Sequence, residues 1–324
     1  MLIKFHRPVL VAAIFAGAAA APAQPSRYPD KPVRFIVPYG VGGNADLVAR
    51  IISPRLGEAL GTQIVVDNRP GAGGNLGAET AARAAPDGYT MVIGTNTHAS
   101  NMSLYRKSPY DLARDFTPVS FLGSTPVLLA VTPALPVTSV QELIALARAQ
   151  PGRLNYASGG IGSSAHLTTE LFKTVAGVDL VHITYKGAGG GLNEVIGGQI
   201  QLMFSSLTSL APHVASGRLR GIAIASLQRA PIAPQLPTIA ESGLPGFEAA
   251  LWDAVMVPTG TAPAIVERLN AELDRIVRLP EVTDQLRRQG FAVATMPRAA
   301  LTAYIRSEIA KWRSVVEKSG ARAD

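Results

Sequence analysis

The chain has 324 residues, of which 47% are hydrophobic and only 16% are charged, and it contains no cysteine. This composition excludes a disordered or coiled-coil protein, and the lack of cysteine excludes disulfides, cysteine-ligated zinc, iron–sulfur clusters and thiol catalysis. The formal net charge is +7, but no run of about five to eight Lys or Arg residues occurs, so we do not expect nucleic acid as a partner.

Residues 1–23 have the features of a cleaved signal peptide. Lys4 and Arg7 precede an apolar run at 9–21, and Ala21-Pro22-Ala23 is a small-x-small cleavage site. The apolar run is shorter than the ~20 residues that a helix needs to span a bilayer. We therefore expect an exported protein that is not itself embedded in the membrane.

The remaining chain predicts an α/β fold, because short β-branched runs alternate with helical patterns. Most of the runs are apolar on both faces, as in a parallel sheet that is covered by helices on each side. The predicted strands are 33–39, 64–67, 90–95, 127–132, 154–158, 180–185, 200–205 and 219–226. The first helical stripe contains Pro54 and Gly57, which predicts a kink or a break near Ser53.

The last third of the chain changes character. After a Pro-rich connection at 230–246, a strand-like segment at 249–257 is followed by helices with wide apolar faces. Because a single core stops growing at about 250 to 300 residues, we expect two lobes. Residues 24–126 and 249–324 are predicted to form the first lobe, and residues 127–248 the second.

Four glycine-rich turns each follow a predicted strand and precede a predicted helix. Glycine exposes main-chain N–H groups, and helix N-termini attract anions. Each turn alone could simply allow tight packing, but four of them favour a shared carboxylate-binding crevice at the carboxyl ends of the strands. The turns span residues 38–46, 70–77, 158–166 and 185–191.

The enzyme classes are poorly supported by motifs. Residues 160–165 fit a dinucleotide fingerprint, but Asp179 precedes the next strand instead of ending it, and no P-loop occurs. No G-x-S-x-G elbow is present, so a hydrolase using Ser163 or Ser164 with His166 remains only an alternative. The histidines are isolated, so neither a metal nor a cofactor is expected.

The sequence leaves more than one role open for each of three further side chains. Asp46 is expected to accept backbone N–H bonds at the helix start, although it could instead orient the loop, hold a water or meet a ligand ammonium. His182 alternates with apolar neighbours and is expected to pack or cap within the sheet. Lys186 either neutralises a second ligand carboxylate or lies solvated at the loop rim.

Several segments, in order, resemble a Bug-type solute-binding receptor of the tripartite tricarboxylate transporter class. The resemblance covers the chain from about Tyr28 to Asp324. It is carried by Tyr28-Pro29-Asp30-Lys31-Pro32-Val33-Arg34, Val66-Asp67-Asn68-Arg69-Pro70-Gly71-Ala72-Gly73-Gly74-Asn75, Ala85-Pro86-Asp87-Gly88-Tyr89-Thr90, Ser103-Leu104-Tyr105, Leu154-Asn155-Tyr156-Ala157-Ser158, Tyr185-Lys186-Gly187 and Leu236-Pro237-Thr238.

The resemblance implies a periplasmic protein with a two-lobe, type II-like clamshell fold, and we expect it to be a monomer. Such a receptor closes around a small carboxylate and presents it to two inner-membrane transporter subunits. A ligand-loaded sensor for a signalling membrane partner would have the same pocket. The implied ligand-binding residues are Tyr39, Val41, Gly42, Gly43, Asp46, Thr95, Thr97, Ser158, Ser163, Ser164, His166, Tyr185, Gly187 and Ser205.

Two positions depart from the family pattern. Val41 replaces a proline before Gly42-Gly43, and Ser205-Ser206 stands where the family often has Asp-Asn. The missing carboxylate weakens the case for an amino-acid ligand, whose ammonium group would need it. A mono- or dicarboxylate, aromatic ones included, is the expected ligand.

Overall fold

The computed structural model describes residues 28–185 and 188–323. The predicted signal peptide, Lys186 and Gly187 lie outside the described residues. The strands are β1 (Val33–Val37), β2 (Ile64–Asn68), β3 (Thr90–Thr95), β4 (Phe116–Thr125), β5 (Val127–Val131), β6 (Asn155–Ser158), β7 (Val181–Thr184), β8 (Leu202–Ser206), β9 (Arg220–Ile224), β10 (Leu251–Pro258) and β11 (Ala292–Val293).

The strands are separated by helices over most of the chain, as the alternating pattern predicted. A short 3-10 turn at Ala72–Gly74 precedes the second helix. The helices are α1 (Asn44–Leu60), α2 (Asn75–Ala82), α3 (Asn96–Leu104), α4 (Val140–Ala149), α5 (Ser164–Ala176), α6 (Ala188–Ile196), α7 (Leu207–Ala215), α8 (Pro263–Val277), α9 (Pro280–Arg288) and α10 (Arg298–Ser319).

The strands form two separate sheets, which define two lobes. The first sheet has the order β11-β4-β10-β3-β1-β2, and the second has the order β7-β6-β8-β5-β9. In each sheet the strand that arrives from the other lobe, β10 or β5, runs antiparallel to both of its neighbours. The expected parallel pairing was therefore wrong for β5 and β10, because an apolar run does not encode the direction of a strand.

Strands β4 and β11 and helix α1 differ from the predictions. Strand β4 was missed, because Pro118 and Gly123 interrupt it and two register shifts disturb its pairing with β10. Of the kink or break expected near Ser53, the break was also wrong, since α1 runs unbroken through Pro54. The proline removes one main-chain hydrogen bond, and burial of the apolar face of α1 against the first sheet offsets that loss.

The C-terminal helices pack as their apolar stripes predicted. The stripe of α8 is fully buried against the first sheet, from Val266 to Val277. Helix α10 contacts α3 in the first lobe and α5 in the second. Its buried Glu308 accepts hydrogen bonds from the indole N–H groups of Trp252, at 2.8 Å, and Trp312, at 3.0 Å. A continuous apolar core thus joins the two lobes on the side of α10.

Candidate functional site

Three helix N-termini meet at a cleft of about 750 Å³ between the lobes. The first lobe contributes the start of α1, and the second contributes the starts of α5 and α7. The residues from these helix starts that line the cleft are Gly42, Asn44, Leu47, Ser163, Ser164, Ala165, Ser206, Thr208 and Ser209. The arrangement points three helix dipoles, each equivalent to roughly half a positive charge, at one volume.

Two of these helix starts carry serine N-caps. The Ser163 hydroxyl accepts the His166 amide at 3.3 Å, and the Ser206 hydroxyl accepts the Ser209 amide at 3.2 Å. Helix α1 begins after Gly43, which has no side chain to act as a cap. Helix geometry leaves the first-turn amides without intrahelical acceptors, so those of Asn44 and Ser164 remain for a ligand. A carboxylate is the complementary group.

The loop before α1 is held from below by Asp46. Its buried carboxylate accepts hydrogen bonds from the Gly42 amide at 2.8 Å, the Asn68 side-chain amide at 2.9 Å and Arg50 Nε at 3.0 Å. Burial raises the pKa of this carboxyl, but the bonds from Arg50, Gly42 and Asn68 outweigh burial and lower the pKa overall. Asp46 therefore orients the loop, and the Gly42 amide is already bonded within the protein.

Tyr39, Thr95 and Thr97 lie behind this loop and do not line the cleft. The Tyr39 hydroxyl lies 2.6 Å from Thr95 Oγ1 and also bonds to the Thr97 side chain. Thr95 caps α3 in a capping box with His98, whose Nδ1 accepts the Thr95 amide at 3.0 Å. Burial lowers the pKa of His98 to about 4, so the ring is neutral near pH 7. These residues support the loop from the core.

The turn before α5 rests on a stack of rings. The Ser158 hydroxyl lies 2.6 Å from His182 Nε2 and accepts the Gly160 amide at 3.1 Å. His166 Nδ1 accepts the Gly162 amide at 3.1 Å, and its ring stacks on His182 with centroids 4.3 Å apart. Burial, followed by the neighbouring His182, lowers the pKa of His166 to about 4. Ser158 and His166 shape the turn from beneath and do not line the cleft.

The same turn touches the first lobe. Gly162 has a φ of +77°, and a Cβ placed there would lie 2.2 Å from Leu104 Cδ2 of α3. Only glycine satisfies both the left-handed backbone and this close approach. The turn before α5 is thus packed against the opposite lobe beside the cleft.

The four glycine-rich turns do not all reach one crevice. The second turn packs behind the first, where Asn101 Nδ2 donates to the Gly73 carbonyl at 3.0 Å. In the fourth turn, the Tyr185 ring lies beside Gly190 and Gly191 at the start of α6. Val41 is 76% exposed at the tip of the first turn. Of the four turns, only the first and third supply described residues to the lining. The remaining lining residues are Ser205, the start of α7, Leu251 and the end of α9.

Two contributions from distant segments were missed in the sequence. Arg288, at the end of α9, lines the cleft. Asp253 of β10 is buried beneath the cleft and accepts the Asn44 side-chain amide at 2.8 Å, while Thr125 Oγ1 donates to Asn44 Oδ1 at 3.1 Å. Burial raises the pKa of Asp253 to about 8, although the Asn44 hydrogen bond opposes the shift. The one sequence feature that could have indicated Asp253 is that it is an acidic residue within an otherwise apolar strand.

Within residues 28–185 and 188–323, no group of three or more His, Asp or Glu side chains is placed to hold a metal ion. Across the same residues, no helix is both long and apolar enough to cross a bilayer.

Comparisons with known proteins agree over almost the whole chain. Residues 48–321 match the family model described as the tripartite tricarboxylate transporter family receptor. Protein BugT of Bordetella pertussis is 36% identical over 324 residues, which cover 99% of each chain.

Two solved structures from R. palustris are similar in both sequence and fold. Rpa4515, solved with adipate, is 39% identical with a TM-score of 0.76, and the match covers 91% of this chain and 99% of that one. MatC (Rpa3494), solved with bound malate, is 33% identical with a TM-score of 0.73, covering 89% and 100%. These matches confirm the predicted two-lobe α/β fold class.

Proposed function

Because the chain belongs to the tripartite tricarboxylate transporter receptor family, we propose that it captures a small carboxylate reversibly between its lobes and delivers it to a transporter of that class. Receptors of this family are periplasmic solute-binding proteins, not enzymes. Their solved relatives include one with adipate and one with malate, both of which are dicarboxylates. The observation that carries the proposal is the convergence of three helix N-termini on one cleft.

The charge distribution of the cleft favours an anion. No Asp or Glu is found among the described residues that line it, and the nearby Asp46 and Asp253 are buried beneath it. Micromolar affinity, about −8 kcal/mol, requires only a few charge-assisted hydrogen bonds and dehydration of the ligand. Amides at helix starts supply such bonds without the desolvation cost of a buried cation.

Lobe closure would complete the site. The connections between the lobes run through Pro126, between β4 and β5, and through the segment after β9, where the Ala249 amide donates to the Ala225 carbonyl at 2.8 Å. A ligand that contacts both lobes stabilises the closed form by its differential affinity for the two states. We place the pivot at these connections, with the α10 side acting as the fixed edge.

Export and partners complete the proposal. Cleavage of residues 1–23 would release a monomeric protein into the periplasm, where two inner-membrane subunits would receive the loaded receptor. A receptor that signals instead of transporting would use the same cleft, and a pull-down with membrane extract would separate these two outcomes.

A serine hydrolase is not supported by the site. The Ser163 hydroxyl accepts the His166 amide, and His166 Nδ1 accepts the Gly162 amide. Among the described residues, no hydrogen bond joins the Ser163 hydroxyl to the His166 ring, so the two do not form the nucleophile–base pair that acyl transfer needs. The relatives, moreover, are receptors.

Carboxylate binding is tested directly by a thermal shift. At a ligand concentration 100 times Kd, binding adds about 2.7 kcal/mol, which corresponds to a rise in Tm of about 5 °C for a chain of this size. We expect one or a few small carboxylates to raise Tm by this amount, and the matching neutral amides to leave it unchanged. A panel in which nucleotides or sugars raise Tm and carboxylates do not would contradict the proposed function.

A further inference from the structure

We propose that Arg288 pairs with a second ligand carboxylate, which makes the receptor selective for dicarboxylates over monocarboxylates of the same chain length. This inference rests on the proposed function, because it assumes that the helix starts of α1 and α5 hold the first carboxylate. It adds a residue from α9, an element that supplies none of the glycine-rich turns.

Arg288 differs in charge from every other described residue of the cleft. It is the only Lys, Arg, Asp or Glu among the described residues that line it, and its side chain is exposed. The lining is otherwise glycine, serine, threonine, amide and aliphatic. A lone cation in a polar cleft that has no acid is available for an anion supplied by the ligand.

Its neighbour Arg287 is in a different situation. Arg287 donates to the Asp284 carboxylate of the same helix at 3.1 Å and faces a separate apolar pocket beside Pro126 and Phe291. Among the described residues, Arg288 makes no ion pair and no side-chain hydrogen bond. Both arginines lie in the last turn of α9 and interact equally with its dipole, so that role does not distinguish them.

The turn that follows Arg288 lies against the second lobe. Gly290 has a φ of +73°, and a Cβ there would lie 1.9 Å from Thr208 Cγ2 of α7. Phe291, which follows it, is buried in the core of the first lobe. At its other end, α9 is tied to the C-terminal part of α1, where Arg55 Nη2 lies 3.6 Å from Glu281 Oε1. The end of α9 therefore lies against the start of α7, where Arg288 and Gln289 line the cleft.

The two carboxylates of a dicarboxylate would bind different kinds of group in the cleft. Main-chain amides at a helix start hold one carboxylate without a full positive charge, whereas a guanidinium can bind a second carboxylate through two parallel hydrogen bonds. A monocarboxylate would leave Arg288 hydrated and would gain nothing from it. Loss of Arg288 should consequently weaken the binding of dicarboxylates alone.

The test is calorimetric titration of the wild-type, Arg288→Gln and Arg287→Gln proteins. The probes are α,ω-dicarboxylates of about three to eight carbons, each paired with the monocarboxylate of equal carbon number. Wild-type protein should bind at least one dicarboxylate about tenfold more tightly than its monocarboxylate partner. Arg288→Gln should abolish that preference by weakening the dicarboxylate alone, and Arg287→Gln should retain it.

Three outcomes would overturn the inference. The first is an Arg288→Gln protein that keeps the wild-type preference, and the second is one that loses affinity equally for both members of a pair. The third is a wild-type protein that binds monocarboxylates as tightly as dicarboxylates. In all three cases carboxylates still bind, so the proposed function survives. If no carboxylate binds to wild-type protein at all, the proposed function itself fails.

Discussion

Replacement of Ser163 by Asp is expected to weaken carboxylate binding by about 100-fold without unfolding the protein. Aspartate is as good an N-cap as serine, so the new carboxylate can accept the His166 amide that the hydroxyl accepts now. The same substitution places a negative charge at the start of α5, within the cleft. Two like charges 4 Å apart repel by about 4 kcal/mol at an effective dielectric constant of 20, and solvent in the cleft reduces this value.

The matched control is Ser163→Asn, which caps α5 equally well but carries no charge. Calorimetry should show the asparagine protein binding within a few-fold of wild type and the aspartate protein binding weakly or not at all. Both should melt within a few degrees of wild type, because each retains the cap. Equal affinities in the two variants would mean that the start of α5 does not face the ligand carboxylate.

Replacement of Asp253 by Asn is expected to stabilise the protein, and by more at high pH than at low pH. The buried carboxyl has a pKa of about 8 in the folded protein and about 4 when unfolded. Its contribution to stability is therefore fully present below pH 4 and is lost as the pH rises towards 8, because deprotonation leaves a buried charge. Asparagine keeps the oxygen that accepts the Asn44 amide and never ionises.

The expected gain in the free energy of unfolding is ~2 kcal/mol at pH 5 and ~5 kcal/mol at pH 9. Urea titrations of wild-type and variant protein at each pH measure this difference. The pH-dependent contributions of the buried histidines to the free energy of unfolding cancel in it, because both proteins contain the same histidines. Asp284→Asn, at an exposed position of α9, is the control and should change stability by less than about 0.5 kcal/mol at either pH. A gain that does not grow with pH would show that Asp253 is not a neutral acid in the folded protein.

The sequence predicted the elements of the fold better than their directions. Short β-branched runs located most strands, and a helical pattern located the stripe of α8, because burial selects apolar residues at those positions. The antiparallel β10 and the unbroken passage of α1 through Pro54 depend on tertiary packing, which no local pattern encodes. Strand β4 was missed for the same reason. Its pairing with β10 tolerates the irregular backbone at Pro118 and Gly123, and no local pattern encodes that pairing.

The sequence indicated the kind of site better than the residues that form it. Glycine and serine at strand ends indicated helix starts that bind anions, and Gly42, Ser163, Ser164 and Ser205 do line the cleft. Ser158 and His166 lie beneath it, because their polar atoms satisfy the turn instead. Arg288 and Asp253 reach the site from segments more than 85 residues beyond Ser163, and only the folded chain brings them there.

In the proposed mode of binding, main-chain amides at opposed helix starts hold the ligand. A crystal structure with the carboxylate that gives the largest thermal shift tests it most directly. We expect carboxylate oxygens about 3 Å from the amides of Asn44 and Ser164, with both lobes in contact with the ligand. A ligand bound in the groove of about 390 Å³ beside Phe121 and Leu227, with only water at the two helix starts, would contradict it.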